Sequence, residues 1–129
     1  MRRQTYFTQH QEEGSYADYE IVDDCMVIKL KNDLDHHCAQ FVRERSDLLI
    51  DKRNIRYIIF DFENSNFMDS SGIGVIMGRY RRVSVSGGKI AVTHVNSAVD
   101  RIFRLSGLYK IITIFASNQA AIEEFGRLG

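Results

Sequence analysis

The sequence predicts an α/β domain built on a mostly parallel sheet, and three observations carry that expectation. Strand-like and helix-like segments alternate from about Arg56 to the end of the chain. Tyr57-Ile58-Ile59-Phe60 is a continuous apolar run of β-formers, the mark of a strand buried on both faces. Ahead of it, Tyr19, Ile21 and Met26 to Leu30 alternate with polar residues around Asp23-Asp24, as two antiparallel strands of a hairpin would. With 129 residues and no Pro-rich or Gly/Ser-rich spacer, one compact core is expected.

Each element then follows in order. Residues 1–16 are polar and lack helical or strand periodicity, so they are expected to form a flexible arm before a domain over 17–129. After the hairpin, Asp35 is placed to cap a helix in which Phe41, Val42, Leu48 and Leu49 recur at helical spacing to about Asp51. The central strand covers Arg56 to Phe62, and a polar turn, Asp69-Ser70-Ser71-Gly72, leads into a helix ending near Gly87-Gly88. Lys89 to Val95 reads as a strand, Ser97 to Leu105 as a helix stopped by Gly107, Ile111 to Phe115 as a strand and Ser117 to Phe125 as a last helix. Right-handed crossovers would make these strands parallel, with the leading hairpin as an antiparallel edge. The chain has no proline, so Gly, Asn, Asp and Ser must make every turn.

Composition narrows the partners. The 17 basic and 17 acidic residues cancel, which leaves no long-range field to attract nucleic acid or an anionic membrane. No apolar run approaches the roughly 20 residues that span a bilayer, and Met1 to Gly14 lacks the apolar core of a signal peptide, so a cytoplasmic protein is expected. Cys25 and Cys38 are then expected as free thiols.

The Asp69-Ser70-Ser71-Gly72 turn is the most informative segment, because it sets two hydroxyls and a carboxylate at a helix N-terminus behind a buried strand. One reading is capping alone, with Asp69 or Ser70 accepting an orphan backbone N–H. The other adds a phosphate on Ser70, where free N–H groups and the helix dipole favour an anion.

The stretch from Phe67 to Tyr80, which reads FMDSSGIGVIMGRY, closely resembles the STAS-domain anti-sigma factor antagonists of spore-forming bacteria. Leu34-Asp35-His36-His37 and Ser106-Gly107-Leu108-Tyr109-Lys110-Ile111-Ile112 resemble the same family, so the likeness runs from about Asp18 to Phe125. The resemblance implies a STAS fold with a sheet of four to five strands, an N-terminal antiparallel edge strand and about four helices. It also implies phosphorylation of Ser70 by an anti-sigma factor that is an ATP-dependent serine kinase and binds its antagonist in an ATP- or ADP-bound state. The unphosphorylated antagonist binds that kinase and frees a sigma factor controlling sporulation-type transcription, and a serine phosphatase resets the switch. A partner surface of Asp35, Asp69, Ser70, Ser71, Gly72, Gly74 and Arg79 is implied for a monomer that is substrate and ligand rather than enzyme, with no cofactor. Asp69 would orient the Ser70 hydroxyl or cap the turn, Ser71 and Gly72 would supply the first helical N–H groups, and Arg79 would pair with a partner carboxylate or stay solvated. Gly74 and Gly78 would permit close approach, by a partner or inside the protein. One departure is Asn32, where the family usually has Gly; Asn tolerates the left-handed backbone such a turn needs.

Other classes fit less well. A serine hydrolase would need a base and an oxyanion site, but no Gly-x-Ser-x-Gly elbow is present and nothing joins His94 or His36-His37 to the serines. Nucleotide binding lacks both a Walker loop and a Gly-x-Gly-x-x-Gly. Asp35-His36-His37-Cys38 holds ligand-type residues, yet adjacent helical positions point to different faces, so no metal site is expected. A STAS scaffold that binds partners or small ligands without being phosphorylated is the remaining alternative.

Overall fold

The computed structural model describes residues 6–128. The chain runs β1 (His10–Glu12), β2 (Ala17–Val22), β3 (Cys25–Leu30), α1 (His36–Arg53), β4 (Tyr57–Asp61), α2 (Ser70–Ser84), β5 (Lys89–Thr93), α3 (Ser97–Ser106), a 3-10 turn (Leu108–Lys110), β6 (Thr113–Phe115) and α4 (Asn118–Leu128). The six strands lie in sequence order across one sheet. β1, β2 and β3 pair antiparallel, and β3 to β6 pair parallel.

The sheet therefore has six strands, one more than the four to five expected. The extra strand is β1, inside the segment expected to be a flexible arm. Its three residues have no apolar alternation; backbone pairing with Glu12 opposite Tyr19 holds it instead. Side chains add to this hold. Glu12 accepts from Nε and Nη2 of Arg45 on α1, Tyr16 stacks on Phe41 at 4.6 Å, and the Tyr16 hydroxyl lies 2.8 Å from His37 Nε2. Residues 1–5 of the expected arm lie outside the described residues.

Every residue of β4 is buried, Tyr57 to Phe60 as their apolar run predicts and the polar Asp61 with them. Alternate strand residues feed two cores. Met26, Ile28, Ile58, Phe60, Ile90 and Val92 face α1, α2 and α3, while Val27, Tyr57, Ile59 and Ala91 meet α4. Tyr57 stacks on Phe125 of α4 at 4.8 Å. Burying such side chains contributes about 1.5 to 3 kcal/mol each, so this two-sided packing dominates the stability. Gly88 marks where α2 returns to the sheet: a Cβ there would lie 1.9 Å from the Arg56 carbonyl oxygen, so only glycine fits. The last strand is shorter than expected, because Ile111 and Ile112 complete the turn after Leu108 instead of pairing. Both cysteines are buried and unpaired. Among the described residues, no helix is long and apolar enough to cross a membrane.

Candidate functional site

The β3–α1 and β4–α2 connections run side by side, which brings the N-termini of α1 and α2 together. Leu34 and Met68 form a parallel bridge. Leu34 N–H donates to the Phe67 carbonyl at 3.0 Å, Asp69 N–H to the Leu34 carbonyl at 3.4 Å, and Asn66 N–H to Asp33 Oδ1 at 2.9 Å. Gly72 is buried beneath this crossing. A Cβ on it would lie 2.5 Å from the Leu34 carbonyl oxygen, so the approach of the two connections requires glycine there.

Asp69 caps α2 from an extended backbone conformation. Its Oδ1 accepts from Ser71 N–H at 2.8 Å and Gly72 N–H at 3.4 Å, two of the donors that a helix start leaves orphaned. Its Oδ2 accepts the backbone N–H of His36, the first residue of α1, at 3.2 Å. Asp35 caps α1 in the ordinary way through Cys38 N–H at 2.9 Å. One carboxylate thus serves both helices.

The two serines of the turn differ. Ser70, the first residue of α2, is exposed, and among the described residues its hydroxyl has no hydrogen-bond partner. Ser71 is half-buried and faces α1, where its Oγ lies 3.3 Å from His36 Nδ1. A groove of about 370 Å³ runs between α1 and α2, lined by His36, Gln40, Arg43, Ser71 and Gly74 among others. Gly74 and Gly78 have nothing within 4 Å of an added Cβ, so neither glycine serves internal close packing.

Arg79 departs from expectation. It is only 5% exposed, and its Nη2 reaches Asp47 Oδ1 of α1 at 3.2 Å. Burial lowers its pKa, with Asp47 acting in the opposite direction. Arg82 Nη1 shares the same Asp47 oxygen at 3.1 Å and its other arm pairs with Asp51. Arg79 fastens α2 to α1 and does not present its charge to a partner. The expectation of an exposed arginine fails because an α2 position three turns from the site faces α1, which helical periodicity alone does not specify.

A second polar cluster sits at the carboxyl ends of β4 and β5. Buried Asp61 accepts from Asn118 Nδ2 at 2.8 Å and from Glu63 N–H at 2.9 Å, and lies 2.9 Å from His94 Nδ1. Asp61, Glu63 and His94 bring ligand-type atoms within 4.8 Å of one another, but the Asp61 oxygens are already engaged by these donors.

Sequence reasoning placed Asp35, Asp69, Ser70, Ser71, Gly72 and Gly74 around one turn, and they are indeed neighbours at the two helix starts. It missed His36, whose backbone and ring both touch that turn. The Leu-Asp-His-His run was the available signal, but its histidines were weighed only as metal ligands or as a hydrolase base, and neither role led to the contact with Ser71.

Comparison with known proteins fits this geometry. The family model described as STAS domain matches residues 16–121. An anti-sigma F factor antagonist of Paenibacillus polymyxa is 40% identical over 99 residues, covering 77% of this chain and 85% of that protein. A protein of the same description from Lysinibacillus sphaericus is 31% identical over 88 residues, covering 68% and 75%. Among solved structures, the anti-sigma factor antagonist SpoIIAA in its unphosphorylated form superposes with a TM-score of 0.69 at 28% identity, covering 84% of this chain and 96% of that one. The phosphorylated form of SpoIIAA, a Bacillus cell fate determinant, gives a TM-score of 0.69 at 29% identity, covering 84% and 97%.

Proposed function

The chain belongs to the STAS domain family, and from that premise we propose that it is an anti-sigma factor antagonist switched off by phosphorylation of Ser70. The observation that carries the reading is the contrast within the turn. Asp69, Ser71 and Gly72 are all engaged in holding the two helix starts, whereas the Ser70 hydroxyl is exposed and, among the described residues, unpartnered.

In this reading the unphosphorylated form binds an anti-sigma factor that is also a serine kinase, in its ATP- or ADP-bound state, and so releases a sigma factor for sporulation-type transcription. The contact surface is the exposed rim of the turn, Asp35, Ser70 and Gly74, with Asp69, Ser71 and Gly72 shaping it from beneath. Phosphorylation adds about 1.5 to 2 negative charges to a hydroxyl inside that surface. Set against an acidic or apolar partner surface such a charge costs several kcal/mol, and each 1.4 kcal/mol is about tenfold in affinity. Because Ser70 stands at the helix start and is exposed, the phosphate can be carried without unfolding the turn. A serine phosphatase returns the protein to its binding form. The chain is substrate and ligand rather than catalyst, acting as a cytoplasmic monomer.

The test is incubation with the anti-sigma kinase and ATP, followed by phosphosite mapping and a pull-down, with Ser70→Ala alongside. A single phosphate at Ser70, absent in the variant and accompanied by loss of the complex, is the expected result. Retained binding without any phosphate would point to an unregulated STAS interaction module.

A further inference from the structure

Two adjacent hydroxyls stand at the start of α2, and only one is tethered. His36 Nδ1 lies 3.3 Å from Ser71 Oγ, so one hydrogen bond occupies either the Ser71 hydroxyl proton or one of its oxygen lone pairs, whichever ring tautomer is present. The His36 backbone is itself held by Asp69 Oδ2 at 3.2 Å, and its residue opens α1 beneath the Asp35 cap, so the ring projects from a fixed position. Among the described residues, Ser70 has no such tether.

We propose that His36 is a specificity-determining positioning residue: it holds the Ser71 hydroxyl toward the α1–α2 groove and so leaves Ser70 as the phosphoryl acceptor. The inference rests on the reading of Ser70 as acceptor and adds the feature that excludes its neighbour. In the transfer, the serine Oγ–phosphorus bond forms as the γ-phosphorus separates from the β,γ-bridging oxygen of ATP. ADP leaves, and the hydroxyl proton passes to a base of the kinase. An oxygen must rotate toward the γ-phosphate for this to happen. Ser70 Oγ is free to do so, whereas Ser71 Oγ must first break its contact with His36. That contact, at 3.3 Å, is also longer than an ideal hydrogen bond, so its effect should be modest and measurable.

The experiment uses the full chain with the anti-sigma kinase, ATP and magnesium, reading phosphate at each serine by mass spectrometry in four forms: native, Ser70→Ala, Ser70→Ala with His36→Ala, and Ser70→Ala with His36→Asn. The native chain is expected to carry phosphate at Ser70. Freeing Ser71 with His36→Ala is expected to raise its phosphorylation about fivefold over Ser70→Ala alone, equivalent to about 1 kcal/mol. His36→Asn, whose side-chain amide can still hold the hydroxyl, is expected to bring the rate back toward the Ser70→Ala level. Equal Ser71 phosphate with and without His36, zero in both included, overturns the inference. So does a fall on removing His36, which would make the imidazole an activator. If the native chain takes no phosphate at Ser70, the acceptor assignment itself fails; if it does and His36 has no effect, only the role of His36 fails.

Discussion

Asp69 Oδ2 accepts the backbone N–H of His36, 33 residues away in sequence, at 3.2 Å while Oδ1 of the same carboxylate caps α2, so a single side chain joins the starts of two helices. A loss at Asp69 therefore counts twice. Asp69→Ala is expected to destabilise the fold by about 2 kcal/mol, the sum of two caps of about 1 kcal/mol each. Asp69→Asn should lose about half of that, since its one oxygen can cap α2 but its NH₂ cannot accept from His36. Urea denaturation of the three proteins checks the order; equal losses for both variants would mean that the contact with α1 contributes nothing.

Gly72 and Gly74, two residues apart, should respond in opposite directions to alanine. At Gly72 the added Cβ meets the Leu34 carbonyl oxygen at 2.5 Å, and backbone cannot yield cheaply, so a loss of about 1 to 3 kcal/mol is expected. At Gly74 the Cβ meets nothing within 4 Å, and replacing an exposed helical glycine should stabilise by about 0.5 to 1 kcal/mol. If Gly74 lies against the anti-sigma partner, Gly74→Ala will be more stable yet bind more weakly, measured by calorimetry of the complex. Unchanged binding would remove Gly74 from the contact surface.

Arg79 and Asp47 should be unequal partners. Asp47→Ala strips the counter-charge from a guanidinium that is 5% exposed, and a loss of about 2 kcal/mol is expected, below the range for a fully buried pair because Asp47 itself is partly solvated. Arg79→Met removes the desolvated charge while filling similar space, and should cost less than Asp47→Ala. Thermal or urea unfolding of both variants decides it, and the reverse order would mean that the ion pair, not its desolvation, governs this junction.

Cys38 ties the α1 start to alkaline pH. Burial first, then Asp35 and Asp33, push its thiol up to about 11. Burial drives the Cys25 thiol in the same direction. Between the ordinary value near 9 and about 11, the unfolded thiol releases a proton that the folded one keeps, so the unfolded state binds fewer protons and stability falls as pH rises. A fall in unfolding free energy beginning near pH 9 is expected, reduced in Cys38→Ser when each protein is compared with its own value at pH 7. At pH 8 a thiol-specific reagent should label the native protein far more slowly than the urea-unfolded chain. Fast labelling of the native protein would contradict both.

What the sequence by itself determined are features governed by neighbours along the chain. The double-faced apolar run of β4, the Asp35 and Asp69 caps and the glycine at the α3 end follow from local periodicity and backbone chemistry, and so does the alternation that makes the sheet parallel. The Asp69–Gly72 turn was legible as a polar helix start for the same reason. The tertiary structure alone decided what depends on two distant segments meeting. β1 has no apolar pattern and exists because β2 offers it an edge and Arg45 a counter-charge. Arg79 is buried because α2 turns that side to α1, and the inequality of Ser70 and Ser71 arises because only one of them faces His36. A sequence specifies which face of a helix is apolar; which neighbour a polar side chain meets is set by packing, since burial and hydrogen-bond geometry exist only once the elements are assembled.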